Sequence, residues 1–121
     1  MHNFDYHAPQ SLDSALKLIA DREDAKIVAG GMTLLPTLKQ RLAAPSDLID
    51  LAKIPDIKGV CRDGDELVIG AMTKHCDVEQ NALVKQHIPA LAVLAGGIGD
   101  RQVRAMGTLG GSVANNDPAA C

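Results

Sequence analysis

Gly107-Thr-Leu-Gly-Gly-Ser-Val-Ala-Asn-Asn-Asp-Pro-Ala-Ala-Cys121 holds two adjacent glycines between a threonine and a serine. Glycine reaches positive φ at little cost and carries no Cβ, so such a run lets backbone N–H groups crowd around an anion. A second pair stands upstream, in Ala29-Gly30-Gly31-Met32-Thr33. Two separate glycine pairs with adjoining hydroxyls suggest one extended ligand with a phosphate-like middle. Neither stretch is G-x-G-x-x-G, and neither is followed by Lys-Ser or Lys-Thr. A Rossmann site and a P-loop are therefore both disfavoured.

Just before the upstream pair, Lys26 to Ala29 reads as a short buried strand that Gly30-Gly31 breaks. Leu34, Leu35, Leu38 and Leu42 then mark a helix. Pro36 is tolerable in its first turn, and Lys39 and Arg41 suit its C-terminal end. Before the strand, Ser11 is a candidate N-cap with Asp13 in the first turn. Leu12, Ala15, Leu16, Ile19 and Ala20 give a 3.6-residue stripe for a helix to about Arg22. Asp47 to Leu51 reads as a second strand, and Lys53 to Asp56 as a seam.

After the seam, Ile57 to Arg62 and Glu66 to Gly70 flank Asp63-Gly64-Asp65, a hairpin signal. Thr73 is a candidate cap for a short helix to about Asn81. A longer helix is expected near Pro89 to Ala95, with Pro89 early and Gly96-Gly97 at its end. Its alanines, Ala90, Ala92 and Ala95, suit close packing. The order of elements implies an α+β fold of two small units, residues 1–55 and 56–121, rather than one doubly wound sheet.

The chain has 121 residues, the size of one domain, and 46% hydrophobic content suffices for a core. A formal charge of −3 argues against nucleic acid, as do only two aromatic residues, Phe4 and Tyr6. No signal-peptide pattern follows Met1, and no apolar run approaches the ~20 residues of a membrane span. Cys61, Cys76 and Cys121 show no C-x-x-C spacing, so neither a zinc site nor an iron–sulfur cluster is expected here. They read as small buried hydrophobes in a reducing compartment, and a cytoplasmic location is expected.

Each chemical reading has a plainer competitor. On local sequence alone, Gly30-Gly31 reads more readily as a plain strand-to-helix turn, since such turns are common. The segment Thr108, Leu109, Gly110, Gly111 and Ser112 is balanced between a ligand site and a turn. Asn115, Asn116 and Asp117 can face a ligand or form an Asx turn before Pro118. His2, His7, His75 and His87 lack ligand spacing and are expected on the surface or in loops. His75-Cys76-Asp77 is not a catalytic dyad, because adjacent residues on a helix point apart. Arg101 and Arg104 either steer an anion or pair with Asp100.

Ile27-Val-Ala-Gly-Gly-Met-Thr-Leu-Leu-Pro36 and Gln102-Val-Arg-Ala-Met-Gly-Thr-Leu-Gly-Gly-Ser112 resemble the two flavin-binding motifs of the FAD-binding (medium) subunits of molybdenum hydroxylases. The likeness is to the aerobic carbon monoxide dehydrogenase and xanthine dehydrogenase type. The opening, Phe4-Asp-Tyr-His-Ala-Pro-Gln-Ser-Leu12, resembles that family too, and the similarity stays in register to the last residue. Family members are longer, so the chain resembles an N-terminal part. The resemblance implies two subdomains of the PCMH-type FAD-binding fold, the second incomplete.

By the same resemblance, the cofactor is FAD. Ala29, Gly30, Gly31, Met32, Thr33 and Leu34 would hold its pyrophosphate through backbone amides. Thr108, Leu109, Gly110, Gly111 and Ser112 would do likewise from the second unit, and Ile98 would touch the flavin. Cys121 stands where members often carry Asp or Glu, and Ala105 where many carry Asn. Met32 occupies a variable position. The implied partners are a molybdopterin-containing large subunit and an iron–sulfur small subunit. Electrons would pass from the clusters to FAD and on to an external acceptor, with no catalytic side chain in this chain and no metal. The 121 residues alone are expected to hold FAD weakly. The alternatives are a stand-alone oxidoreductase with the same FAD domain and a truncated remnant without flavin.

Overall fold

The computed structural model describes residues 1–120. The chain divides into two compact units, Met1–Asp56 and a second that begins at Ile57. Together they mix small sheets with short helices, an α+β architecture.

The first unit runs β1 (Asp5–His7), α1 (Leu12–Asp21), β2 (Ala25–Val28), α2 (Leu34–Lys39) and β3 (Asp47–Asp50). Its three strands are parallel in the order β1-β3-β2, with Tyr6 opposite Leu48 and Ile27 opposite Ile49. Leu48 and Ile49 point to opposite faces of the pleat, yet both are buried. The central strand is thus covered on both sides, as parallel sheets require. Leu38, Ile54, Val28 and Ala15 complete the buried apolar set of this unit.

Ser11 caps α1 as its position implies, its Oγ accepting from Ser14 N–H at 3.2 Å. The stripe of α1 is shallower than expected, because Ala15 is buried whereas Leu12 and Leu16 are exposed. The helix α2 ends earlier than its leucines suggest. Arg41 adopts φ +57, its N–H donates to Leu38 O, and Leu42 N–H donates to Thr37 O at 3.1 Å. This is a Schellman closure with arginine in the position usually given to glycine. It turns Leu42 out of the helix, 73% exposed.

β3 is also the electrostatic anchor of the first unit. The Asp47 carboxylate, at a buried residue, takes His7 Nε2 at 2.7 Å, Arg22 Nε at 3.1 Å and Ser46 Oγ at 2.6 Å. Hydrogen bonds from Ser46 and His7 hold its carboxyl below the usual carboxylate range, and the Arg22 charge acts the same way. Tyr6 donates its hydroxyl to Asp50 Oδ2, which pushes the phenol pKa up. Both β1 and the end of α1 are tied to β3 by these contacts.

The second unit opens, after a 3-10 turn at Pro55–Ile57, with the antiparallel pair β4 (Val60–Asp63) and β5 (Glu66–Ile69). Gly64, at φ +59, takes the first position of the two-residue turn, where a type II′ hairpin needs glycine. Five helices follow: α3 (His75–Gln80), α4 (Ala82–His87), α5 (Pro89–Gly96), α6 (Arg101–Met106) and α7 (Leu109–Asn115). Val78, Val84, Ala92 and Ala95 form the core, with Val60, Leu67, Ile69 and Leu91 packed on it. The small α5 residues permit that close approach.

Three helix starts in this unit have a side-chain cap. Asn81 Oδ1 accepts from Leu83 and Val84 N–H, Asp100 Oδ1 from Val103 N–H, and Thr108 Oγ1 from Gly111 N–H. Thr73 is not a cap. It is buried, and its hydroxyl exchanges hydrogen bonds with the Gly59 backbone, leaving Lys74 at the start of α3.

Candidate functional site

The first glycine segment lies between β2 and α2. Gly31 is buried and adopts φ +76. A Cβ added there would stand 2.9 Å from Leu35 Cδ1, a contact the leucine side chain can relieve, so it is the backbone conformation that calls for glycine. The first hydrogen bond of the turn is Leu35 N–H to Gly31 O at 3.0 Å. The amides of Met32, Thr33 and Leu34 lie ahead of it and have no intrahelical acceptor. Thr33 is exposed and makes no capping bond, so its hydroxyl is not spent on the helix. Met32 is exposed and Ala29 half-buried at the rim of this turn.

The second glycine segment is a helix start rather than a free loop. Thr108 is buried and bridges to Lys74. Leu109 N–H donates to Thr73 O at 3.0 Å, and Gly110 N–H to Ala71 O at 2.8 Å. Gly111 N–H donates to Thr108 Oγ1 at 3.1 Å, and Ser112 N–H to Thr108 O at 3.1 Å. Each of these four amides therefore has an acceptor within the chain. The glycines serve contact here: a Cβ on Gly110 would lie 2.6 Å from both Ala71 O and Ala71 Cβ. The segment's remaining hydroxyl belongs to Ser112, an exposed residue.

Ile98 is half-buried, and its carbonyl accepts from Arg104 Nη1 at 3.1 Å. The same guanidinium nitrogen reaches Gly99 O at 3.0 Å, and Arg104 Nε stands 4.0 Å from Glu79 Oε2. Arg104 thus holds the Ile98–Gly99 turn, while Asp100 is occupied as the cap of α6. Asp117 forms an Asx turn, its Oδ1 accepting from Ala119 N–H at 2.9 Å. The position of Cys121 lies outside the described residues.

Two further expectations need correction. Cys61 is exposed and Cys76 half-buried, both as free thiols, so neither is a core residue. His75 is not a surface residue: it is 3% exposed, with Nε2 3.2 Å from Ser112 Oγ. Its partner is distant in sequence, and no local pattern signals the pair. Cys76 Sγ does lie 3.8 Å from Asp77 Oδ1, but His75 faces Ser112 instead. Among the described residues, no group of three or more His, Cys, Asp or Glu side chains is placed to hold a metal ion. Nor, among the described residues, is any helix long and apolar enough to cross a membrane.

Comparison with known proteins gives this geometry its context. The carbon monoxide dehydrogenase medium chain of Hydrogenophaga pseudoflava is 44% identical over 116 residues, covering 95% of this chain and 40% of that protein. The 6-hydroxypseudooxynicotine dehydrogenase complex subunit alpha of Paenarthrobacter nicotinovorans is 39% identical over 119 residues, covering 98% and 40%. A solved structure of carbon monoxide dehydrogenase from Hydrogenophaga pseudoflava, lacking the Mo-pyranopterin moiety of its molybdenum cofactor, superposes with a TM-score of 0.96 at 43% identity. It covers 98% of this chain and 42% of the matched one. The chain thus spans about two fifths of the length of these relatives. Residues 2–120 match the FAD binding domain in molybdopterin dehydrogenase, and the chain belongs to that family.

Proposed function

We propose that this chain is the FAD-holding part of a flavoprotein subunit in a molybdenum hydroxylase. Its partners in this reading are a molybdopterin-containing large subunit and an iron–sulfur small subunit. When bound, FAD supplies the redox chemistry, receiving electrons from the clusters and passing them to an external acceptor. The chain's own residues bind and orient. No side chain in it acts as a general acid or base.

The observation that carries this reading is the turn at Gly31. Three amides without intrahelical partners follow a glycine at positive φ, with an unspent threonine hydroxyl beside them. Backbone N–H groups in that setting favour a phosphate-like anion. Ala29, Gly30, Gly31, Met32, Thr33 and Leu34 fit the pyrophosphate on this ground. The second segment fits differently, because its amides are engaged. There Thr108, Leu109, Gly110, Gly111 and Ser112 contribute a rigid surface and the Ser112 hydroxyl, and Ile98 an apolar contact. In this reading the two subdomains are the unit Met1–Asp56 and the unit that begins at Ile57, each with one glycine segment. The free thiols Cys61 and Cys76 suit a reducing cytoplasm. The two relatives' names specify different substrates, carbon monoxide and 6-hydroxypseudooxynicotine, so the substrate of the complex does not follow from this domain.

The test is the flavin-to-protein ratio of the intact protein carrying Gly31→Val. A β-branched residue at φ +76 meets a strain of about 1–3 kcal/mol before any lost contact. The folded variant is expected to lose its flavin. A normal ratio would remove this turn from the site.

A further inference from the structure

His75 is buried and tied through one ring nitrogen. Nε2 lies 3.2 Å from Ser112 Oγ, whereas Nδ1 is buried with no hydrogen-bond partner among the described residues. Burial pushes the ring pKa below the ordinary 6.5, so the neutral ring is favoured. A neutral imidazole carries one N–H. An orphaned buried N–H is costlier and rarer than an unfilled acceptor, which puts the proton on Nε2. There it donates to Ser112 Oγ.

The rest of the local structure fixes that pairing. His75 N–H donates to Gly107 O at 3.0 Å, anchoring the start of α3 beside α7. A Cβ on Gly107 would stand 3.0 Å from His75 Cδ2 and 3.3 Å from Nε2, so the ring is pressed against this glycine. Ser112 is exposed, and its own amide is already bonded to Thr108 O. A hydroxyl that accepts from His75 keeps its hydrogen for another partner.

We infer that His75 is a positioning residue that, by donating from Nε2 to Ser112 Oγ, turns the Ser112 hydroxyl outward as a donor to an acceptor oxygen of FAD. This rests on the proposed cofactor role. It assigns the second glycine segment a side-chain donor in place of its engaged amides. Ser112 touches the cofactor, and His75 acts through it.

Two measurements on the intact protein test the inference. The first is the ¹⁵N signature of His75, which reports the tautomer with no cofactor present. The Nε2–H form is expected, and an Nδ1–H form or an imidazolium at neutral pH would overturn the inference. The second is FAD titration of the apoprotein followed by flavin fluorescence. Ser112→Ala and His75→Asn are each expected to weaken FAD about tenfold, the size of one net hydrogen bond. The double variant should be no weaker than either single one. His75→Gln, whose longer amide can donate from near the Nε2 position, should stay within about twofold of the parent. Parental affinity in Ser112→Ala, additive losses in the double variant, or equal losses in the Gln and Asn variants would each overturn the assignment. A parent protein that binds no FAD would defeat the cofactor reading instead, and the ¹⁵N measurement would still judge the His75–Ser112 pair.

Discussion

Gly110 sits directly on the backbone of Ala71: its N–H donates to Ala71 O at 2.8 Å, and its missing Cβ would fall 2.6 Å from that same oxygen. No rotamer relieves a contact between a Cβ and a carbonyl. The replacement Gly110→Ala must therefore push α7 away from the turn at residues 71–73 and lengthen the hydrogen bonds from Leu109 and Gly110. Overpacking of this kind costs about 1–3 kcal/mol. The variant is expected to melt several degrees lower, checked by circular dichroism. An unchanged melting temperature would show that α7 accommodates a Cβ beside Ala71 without strain.

Arg41 offers the opposite outcome. It holds φ +57 at the end of α2, where a residue with a Cβ pays about 1–2 kcal/mol. Glycine has no such strain but a more flexible unfolded chain. Arg41→Gly should stabilise the protein by a net of about 0.5–1 kcal/mol, read from urea unfolding at unchanged m value. Destabilisation would mean that the arginine side chain makes a compensating contact.

The second unit should lose stability on mild acidification. His75 has a lowered pKa when folded, against an ordinary 6.5. Between those two values the unfolded chain takes up a proton that the folded ring refuses, so stability falls as pH drops below about 6.5. The parent should melt lower at pH 5.5 than at pH 7.5. His75→Gln should reduce that difference, and an equal drop in both would assign the titration elsewhere.

Asp47 acts in a lower window. Its folded pKa is depressed, so its contribution is complete above the ordinary 3.8 and is lost as pH falls through the folded value. Asp47→Asn should flatten the acid limb of the stability curve below pH 4 and lower the melting temperature at pH 7. Melting measured from pH 2 to 7 checks both.

What could be read from the chain alone was what depends on neighbours in sequence. Ser11 before an apolar stripe, Gly64 between two strands and Pro89 at a helix start each carry their structural reason within a few residues. The turn at Gly31 was legible for the same reason. Contacts across long separations were not. β1 is three residues long, and its place in the sheet depends on β3 some forty positions away. Thr108 looked like part of a loop because its helix, α7, carries Gly110 and Gly111 in its first turn, and glycines normally argue against helix. The acceptors at Ala71 and Thr73 that dock this start are set by the fold. His75 looked like a surface residue for want of any sign of Ser112, 37 positions later.

The central claim, that this chain is the FAD-holding part of a flavoprotein subunit, is tested most directly by calorimetric titration of the full-length apo subunit with FAD. One FAD per polypeptide at micromolar affinity or tighter, about −8 kcal/mol or more favourable, is the expected result. A cooperatively folded protein that takes up no FAD at tens of micromolar would contradict it.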